Sequence, residues 1–140
     1  LRTAFSRPIS LGVEIDGLLI SEMVESDIEV IVGAFRDQQF GPVVMFGLGG
    51  IMVEVMRDVS FRVGPINEED ALQLIDEIKG AKVLDGFRGI RKRDKGSLAG
   101  LIVEISKIMM ENPSIEEIDL NPVASFERGY KVLDARIVLS

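Results

Sequence analysis

Residues 115–122 read Ile115-Glu116-Glu117-Ile118-Asp119-Leu120-Asn121-Pro122, and residues 133–136 read Leu133-Asp134-Ala135-Arg136. Each run lies in a stretch with strand character, predicted over 115–121 and 131–139. A turn carrying Glu127-Arg128-Gly129 joins the two. Antiparallel strands connected this way bring Asn121 and Asp134 side by side. A carboxylate beside an amide oxygen is a pair of hard oxygen ligands. Mg²⁺ commonly takes one or two such protein ligands and fills its other positions with water and nucleotide phosphate. The C-terminal hairpin therefore reads as half of a Mg-nucleotide site, with Asn121, Asp134 and Asp119 as candidate ligands. The plainer reading is that Asp and Asn cap strand ends, and Asn-Pro is itself a turn dipeptide.

Composition narrows the function classes. The 140 residues correspond to one domain or part of one. Hydrophobic residues make up 46% and mean hydropathy is +0.25, enough for a packed core. Net charge is −7, so no excess of Lys and Arg is available for nucleic-acid phosphates. The chain has no Cys and no His. Disulfides, thiolate zinc sites, a Ser-His triad and a phosphohistidine are thereby excluded from this chain. No apolar run approaches the ~20 residues of a membrane span, and no secretory signal is visible. The first residue is Leu, which fits a chain cut from something longer.

Outward from the hairpin, residues 1–11 are a weakly patterned lead-in. Strands are predicted over 13–24, 28–36 and 43–46 as an antiparallel meander, with Ile28, Val30, Val32 and Ala34 on one face. Short strand-like pieces follow around 52–56 and 60–63. Asn67 opens a helix with Glu68, Glu69 and Asp70 in its first turn, and Gly80 stops it. Residues 82–87 read as a helical turn. Ser97 is expected to cap a second helix that ends at Asn112-Pro113. The order strands, helix, helix, strands predicts an α+β layer: helices packed on a mostly antiparallel sheet.

Three further groups are candidates for chemistry. In Leu19-Ile20-Ser21-Glu22-Met23-Val24, a strand running into a hinge exposes backbone donors and acceptors that suit an adenine edge. Glu29 supplies a carboxylate for ribose hydroxyls; the plainer reading is a hairpin with exposed glutamates. Gly47-Leu48-Gly49-Gly50 lets backbone approach a phosphate or another chain, or simply turns. It matches neither a dinucleotide fingerprint nor a P-loop. The loop Arg88, Arg91, Lys92, Arg93, Lys95 is either solvated or attracts a polyanion.

These pieces occur in a familiar order. Gly12-Val13, Glu29-Val30-Ile31-Val32-Gly33, Arg36-Asp37, Gln39-Phe40-Gly41-Pro42, Met45-Phe46-Gly47-Leu48-Gly49-Gly50, Val53-Glu54 and Asp58-Val59-Ser60-Phe61-Arg62 precede the Asn121-Pro122 and Asp134-Ala135-Arg136 runs. Over residues 12–139 the chain resembles the ATP-grasp β part of ADP-forming (NDP-forming) acetyl-CoA and acyl-CoA synthetases, relatives of succinyl-CoA synthetase. The resemblance implies the large-lobe ATP-grasp fold over 12–140, with the small N-terminal lobe absent. It implies ATP or ADP and Mg²⁺ as ligands, and CoA as a substrate of the complete enzyme. Glu22, Met23 and Val24 would form the adenine hinge and Glu29 would hold the ribose. Gly49 and Gly50 would lie near the phosphates, and Asn121, Asp134 and Asp119 would hold Mg²⁺.

The reaction implied is acyl-CoA, ADP and phosphate to acid, CoA and ATP, run reversibly through a phosphohistidine outside this chain. Its expected partners are the small lobe and a CoA-binding domain or subunit, in the cytoplasm, with self-association through the exposed face also open. The Ile90–Lys95 region is more basic than the family pattern. The competing readings are a synthetase-like regulatory domain of a protein lysine acetyltransferase and a non-catalytic interaction scaffold. An apolar patch of Ile51, Met52, Val55 and Met56 would serve the last.

Overall fold

The computed structural model describes residues 20–26, 28–50, 58–87, 89 and 91–140. Alternating apolar residues make β1 (Ile28–Asp37), and a turn after Asp37 leads into β2 (Gly41–Leu48). Asp37 Oδ1 accepts from the Gln39 and Phe40 amides, and Gly41 has φ of 75°. β3 (Val59–Val63) follows, then α1 (Glu68–Glu77), α2 (Ala81–Leu84) and α3 (Lys95–Glu111). The chain closes with β4 (Ile115–Ser125), β5 (Tyr130–Val132) and β6 (Ala135–Leu139). All strand pairs described are antiparallel, in the order β3-β2-β1-β4-β5, with β6 also paired to β4. The expected α+β architecture of helices on an antiparallel sheet is the one observed.

The core lies on one face of this sheet. Val30, Val32 and Ala34 of β1 meet Val44 and Phe46 of β2, and the helices cover them with Leu74, Ile75, Leu98 and Ile102. Period-two alternation in β1 thus places its even-numbered residues inward, as read from the sequence. α1 starts at a capping box: Asn67 Oδ1 accepts the Asp70 amide, and Asp70 Oδ2 accepts the Asn67 amide.

Four expectations change. The predicted strand 13–24 falls largely outside the described residues, and residues 20–24 belong to no strand. In its place β4 is the second neighbour of β1, so the sheet closes with strands far apart in sequence rather than as a meander. The predicted strand 131–139 is two strands, broken at Leu133 and Asp134, while β4 runs on through Pro122. The second helix is capped by Asp94, not Ser97, because the Asp94 carboxylate reaches both the Ser97 amide and its hydroxyl. The piece predicted at 52–56, with the apolar patch, lies outside the described residues. No helix among the described residues is long and apolar enough to cross a membrane.

Candidate functional site on the open face of the sheet

The face opposite the helices carries Glu29, Ile31, Gly33 and Phe35 of β1 by alternation. Two rows cross it. In one, Gly33 stands opposite both Met45 and Asp119, and Asp119 opposite Arg136. In the other, Glu29 stands opposite Ala124, and Ala124 opposite Lys131.

Between the rows the ladder is irregular. From Val30 to Val32 on β1, the partner on β4 steps from Val123 to Leu120. Asn121 and Pro122 thus share the place opposite Ile31, a bulge that re-aims side chains locally. The outer strand breaks at the same level, between β5 and β6. The Asn121 amide donates to the Asp134 carbonyl at 3.2 Å, and the Leu133 amide to the Pro122 carbonyl at 3.0 Å. The structure therefore brings Asn121 and Asp134 together by a backbone hydrogen bond. Asp134 Oδ1 accepts from the Ala135 amide at 3.0 Å.

Asp119 lies two residues away, half-buried. Its carboxyl is pushed above the usual range first by burial, then by the negative charge of Glu117; Asp134 adds to the rise and Arg136 opposes it. Among the described residues no three Asp, Glu, His or Cys side chains converge as a metal cage. A cation held by Asn121, Asp134 and Asp119 would keep positions for water and phosphate, which is the habit of Mg²⁺. The donor set, all hard oxygens, fits that ion.

A cleft of about 400 Å³ adjoins these residues, lined by Ile31, Gly33, Phe35, Met45, Asp119 and Asn121 among others. Gly33 forms part of its floor. A Cβ there would stand 3.3 Å from Met45 Cε, tight but yielding.

The remaining candidates sort differently. The Gly49 amide donates to the Glu29 carbonyl at 2.7 Å, and a Cβ at Gly49 would meet the Glu29 backbone at 2.9 Å. Gly49 thus permits close approach of β1 to the end of β2. Gly50 has φ of 70°, with open space around it. Both glycines have a backbone reason to be there. Glu22 gives its carboxylate to Lys131, at 2.7 and 2.8 Å. The Met23 side chain is 89% exposed and Val24 is half-buried.

The basic loop is partly neutralised within the chain. Arg91 pairs with Glu127, and Lys95 with Asp76 and Asp85, each at 2.7 Å. Sequence reasoning missed Lys131 and Gly33. Nothing local to Lys131 indicates a partner 109 residues upstream. Gly33 is visible in the sequence only as one residue of a strand.

The ATP-grasp domain family matches residues 6–139 of the chain. The β subunit of acetate–CoA ligase [ADP-forming] I from Pyrococcus furiosus is 50% identical over 123 residues, covering 88% of this chain and 53% of that subunit. Acetate–CoA ligase [ADP-forming] I of Archaeoglobus fulgidus is 46% identical over 125 residues, 89% of this chain and 18% of that protein. Among solved structures, dinucleotide-forming acetyl-coenzyme A synthetase 1 of Ca. Korarchaeum cryptofilum in its apo form superimposes with a TM-score of 0.91 at 45% identity, over 99% of this chain and 65% of that one. Its complex with coenzyme A and Mg-AMPPCP gives 0.82 at 49% identity, over 85% and 56%. The chain thus spans about half the Pyrococcus subunit and a smaller part of the Archaeoglobus ligase. The antiparallel sheet with helices on one face, the order of the quoted motifs and a match over nearly the whole length agree, and the chain belongs to the ATP-grasp domain family.

Proposed function

We propose that this chain is the nucleotide-binding lobe of an ADP-forming acyl-CoA synthetase, with the small N-terminal lobe lying outside it. The complete protein would convert acyl-CoA, ADP and phosphate to acid, CoA and ATP, and the reverse. The observation that carries this reading is the interrupted ladder where the Asn121 amide meets the Asp134 carbonyl. The Asn121 and Asp134 backbones meet there, with Asp119 two residues back on the same strand as Asn121.

In this reading residues 22–24 pair with the adenine edge through their peptide groups, and Glu29 accepts from the ribose hydroxyls. Glu29 lies two residues along β1 from the level of Asn121, about 7 Å at ~3.3 Å per residue. That separation suits the reach from a ribose to the outer phosphates. Gly49 and Gly50 would border the phosphates while holding β2 against β1. Asn121, Asp134 and Asp119 would hold Mg²⁺, which when bound neutralises charge on the outer phosphates. The chain contains no His, so the phosphoryl carrier belongs to another part of the complete protein. CoA, the small lobe and a CoA-binding domain or subunit are its partners, and the cytoplasm is the compartment that suits these substrates.

Calorimetric titration with ADP and ATP, with and without Mg²⁺, tests the site. Weak nucleotide binding that strengthens with Mg²⁺, and loses that gain in Asp134→Ala, is expected. An equal Mg²⁺ gain in wild type and Asp134→Ala would overturn the ligand assignment. The purified 140-residue chain should not synthesise acyl-CoA by itself.

A further inference from the structure

We infer that Lys131 is a positioning residue for the nucleotide base, an inference that rests on residues 22–24 being the base-contacting segment. Residues 20–26 belong to no strand. Among the described residues, no backbone hydrogen bond ties them to the sheet. Side chains anchor the segment at two places. Ser26 Oγ is 2.7 Å from the Ile28 carbonyl and 3.2 Å from the Ser125 carbonyl, fixing the end next to β1. Lys131 Nζ donates to both carboxylate oxygens of Glu22, fixing the part next to Met23 and Val24.

Lys131 also stands in the row that contains Glu29, with Ala124 between them. The cation that holds the base-contacting segment therefore shares a rigid strand row with the carboxylate assigned to the ribose. Base and ribose contacts are kept in step through β4 and β5, and the link is lost when the lysine is lost. Both side chains are substantially exposed, 48% for Lys131 and 71% for Glu22. The pair is consequently modest in strength and sensitive to salt. Lys131 acts through Glu22 and is not assigned any contact with nucleotide.

The test titrates the full chain with ADP, adenosine and pyrophosphate, all in Mg²⁺. It compares wild type, Lys131→Met, and the swap Lys131→Glu with Glu22→Lys. Lys131→Met should lose about two- to fivefold in affinity for ADP and adenosine. It should keep its pyrophosphate affinity, and the swap should recover most of the loss. The loss should shrink at about 1 M salt, where the Debye length is ~3 Å. Unchanged ADP affinity, or an equal loss for pyrophosphate, overturns the proposal; the second outcome would mean general charge attraction. Nuclear relaxation supplies a readout without nucleotide: backbone order parameters of residues 20–26 should fall in Lys131→Met while those of β1 and β4 stay unchanged. Unchanged order parameters there overturn the proposal as well. Lowered order parameters in a chain whose wild type binds pyrophosphate but neither adenosine nor ADP would leave the clamp standing and overturn its role toward the base, together with the base-site assignment itself.

Discussion

Asp119 is strained electrostatically rather than sterically. Burial and the charges of Glu117 and Asp134 raise its pKa on folding, with Arg136 only partly offsetting them. A carboxyl raised in the folded state favours folding while protonated, and that contribution is lost as pH rises through the raised value. Asp119→Asn should therefore raise the melting temperature at about pH 7, with the advantage shrinking at about pH 3. The same substitution should reduce the Mg²⁺ gain in nucleotide binding. Thermal melts at the two pH values and a titration check both halves. At this scale the sequence is partly legible. The meeting of Asn121 with Asp134 is readable because a hairpin has few ways to pair its strands. Gly49 shows in the sequence only that something comes close, and the structure adds the Glu29 backbone, 2.9 Å from where a Cβ would stand. Lys131 carries no local signal, since its partner is set by tertiary contact alone.

At the level of elements, Asp94 joins the helices to the hairpin. Its carboxylate accepts from the Ser97 amide at 3.0 Å, the Ser97 hydroxyl at 2.8 Å and the Gly129 amide at 2.9 Å. The N-cap of α3 is thus also the anchor of the β4–β5 turn. These bonds hold the Asp94 carboxyl below the usual range, chiefly the one from Gly129 and then those from Ser97. Its contribution to stability is present above the ordinary value of 3.8 and is lost as pH falls through the lowered one. Asp94→Ala should cost about 1–2 kcal/mol in urea unfolding, typical of a lost cap. Helix positions are legible from apolar spacing, but the choice between Asp94 and Ser97 as cap is not. Both are good capping types, three residues apart, and Asp94 is the one whose carboxylate reaches the Ser97 amide and hydroxyl. The split of the last strand is partly signalled: Asp134 is a poor strand former, and the break falls at Leu133 and Asp134, level with the bulge at Asn121 and Pro122.

For the whole molecule, the two faces of the sheet carry different duties. Phe46 is fully buried against the helices, whereas its chain neighbour Met45 lines the cleft on the other side. Phe46→Ala should cost about 3–5 kcal/mol, and Met45→Ala much less, by chemical denaturation of the two variants. The overall architecture follows from the order of patterned segments, because helices and strands must bury one face each and few layers do so. What the pattern does not reveal is that β4 sits beside β1, since register between distant strands is written in no local run.

This separation of faces has an evolutionary consequence. The carboxylates that would hold a cation contribute nothing to the core, and Asp119 is held there against its own charge. A duplicated copy released from selection on catalysis can replace Asp119 and gain stability in doing so. Mutation alone would then favour a copy that keeps this architecture without the Asp119 carboxylate.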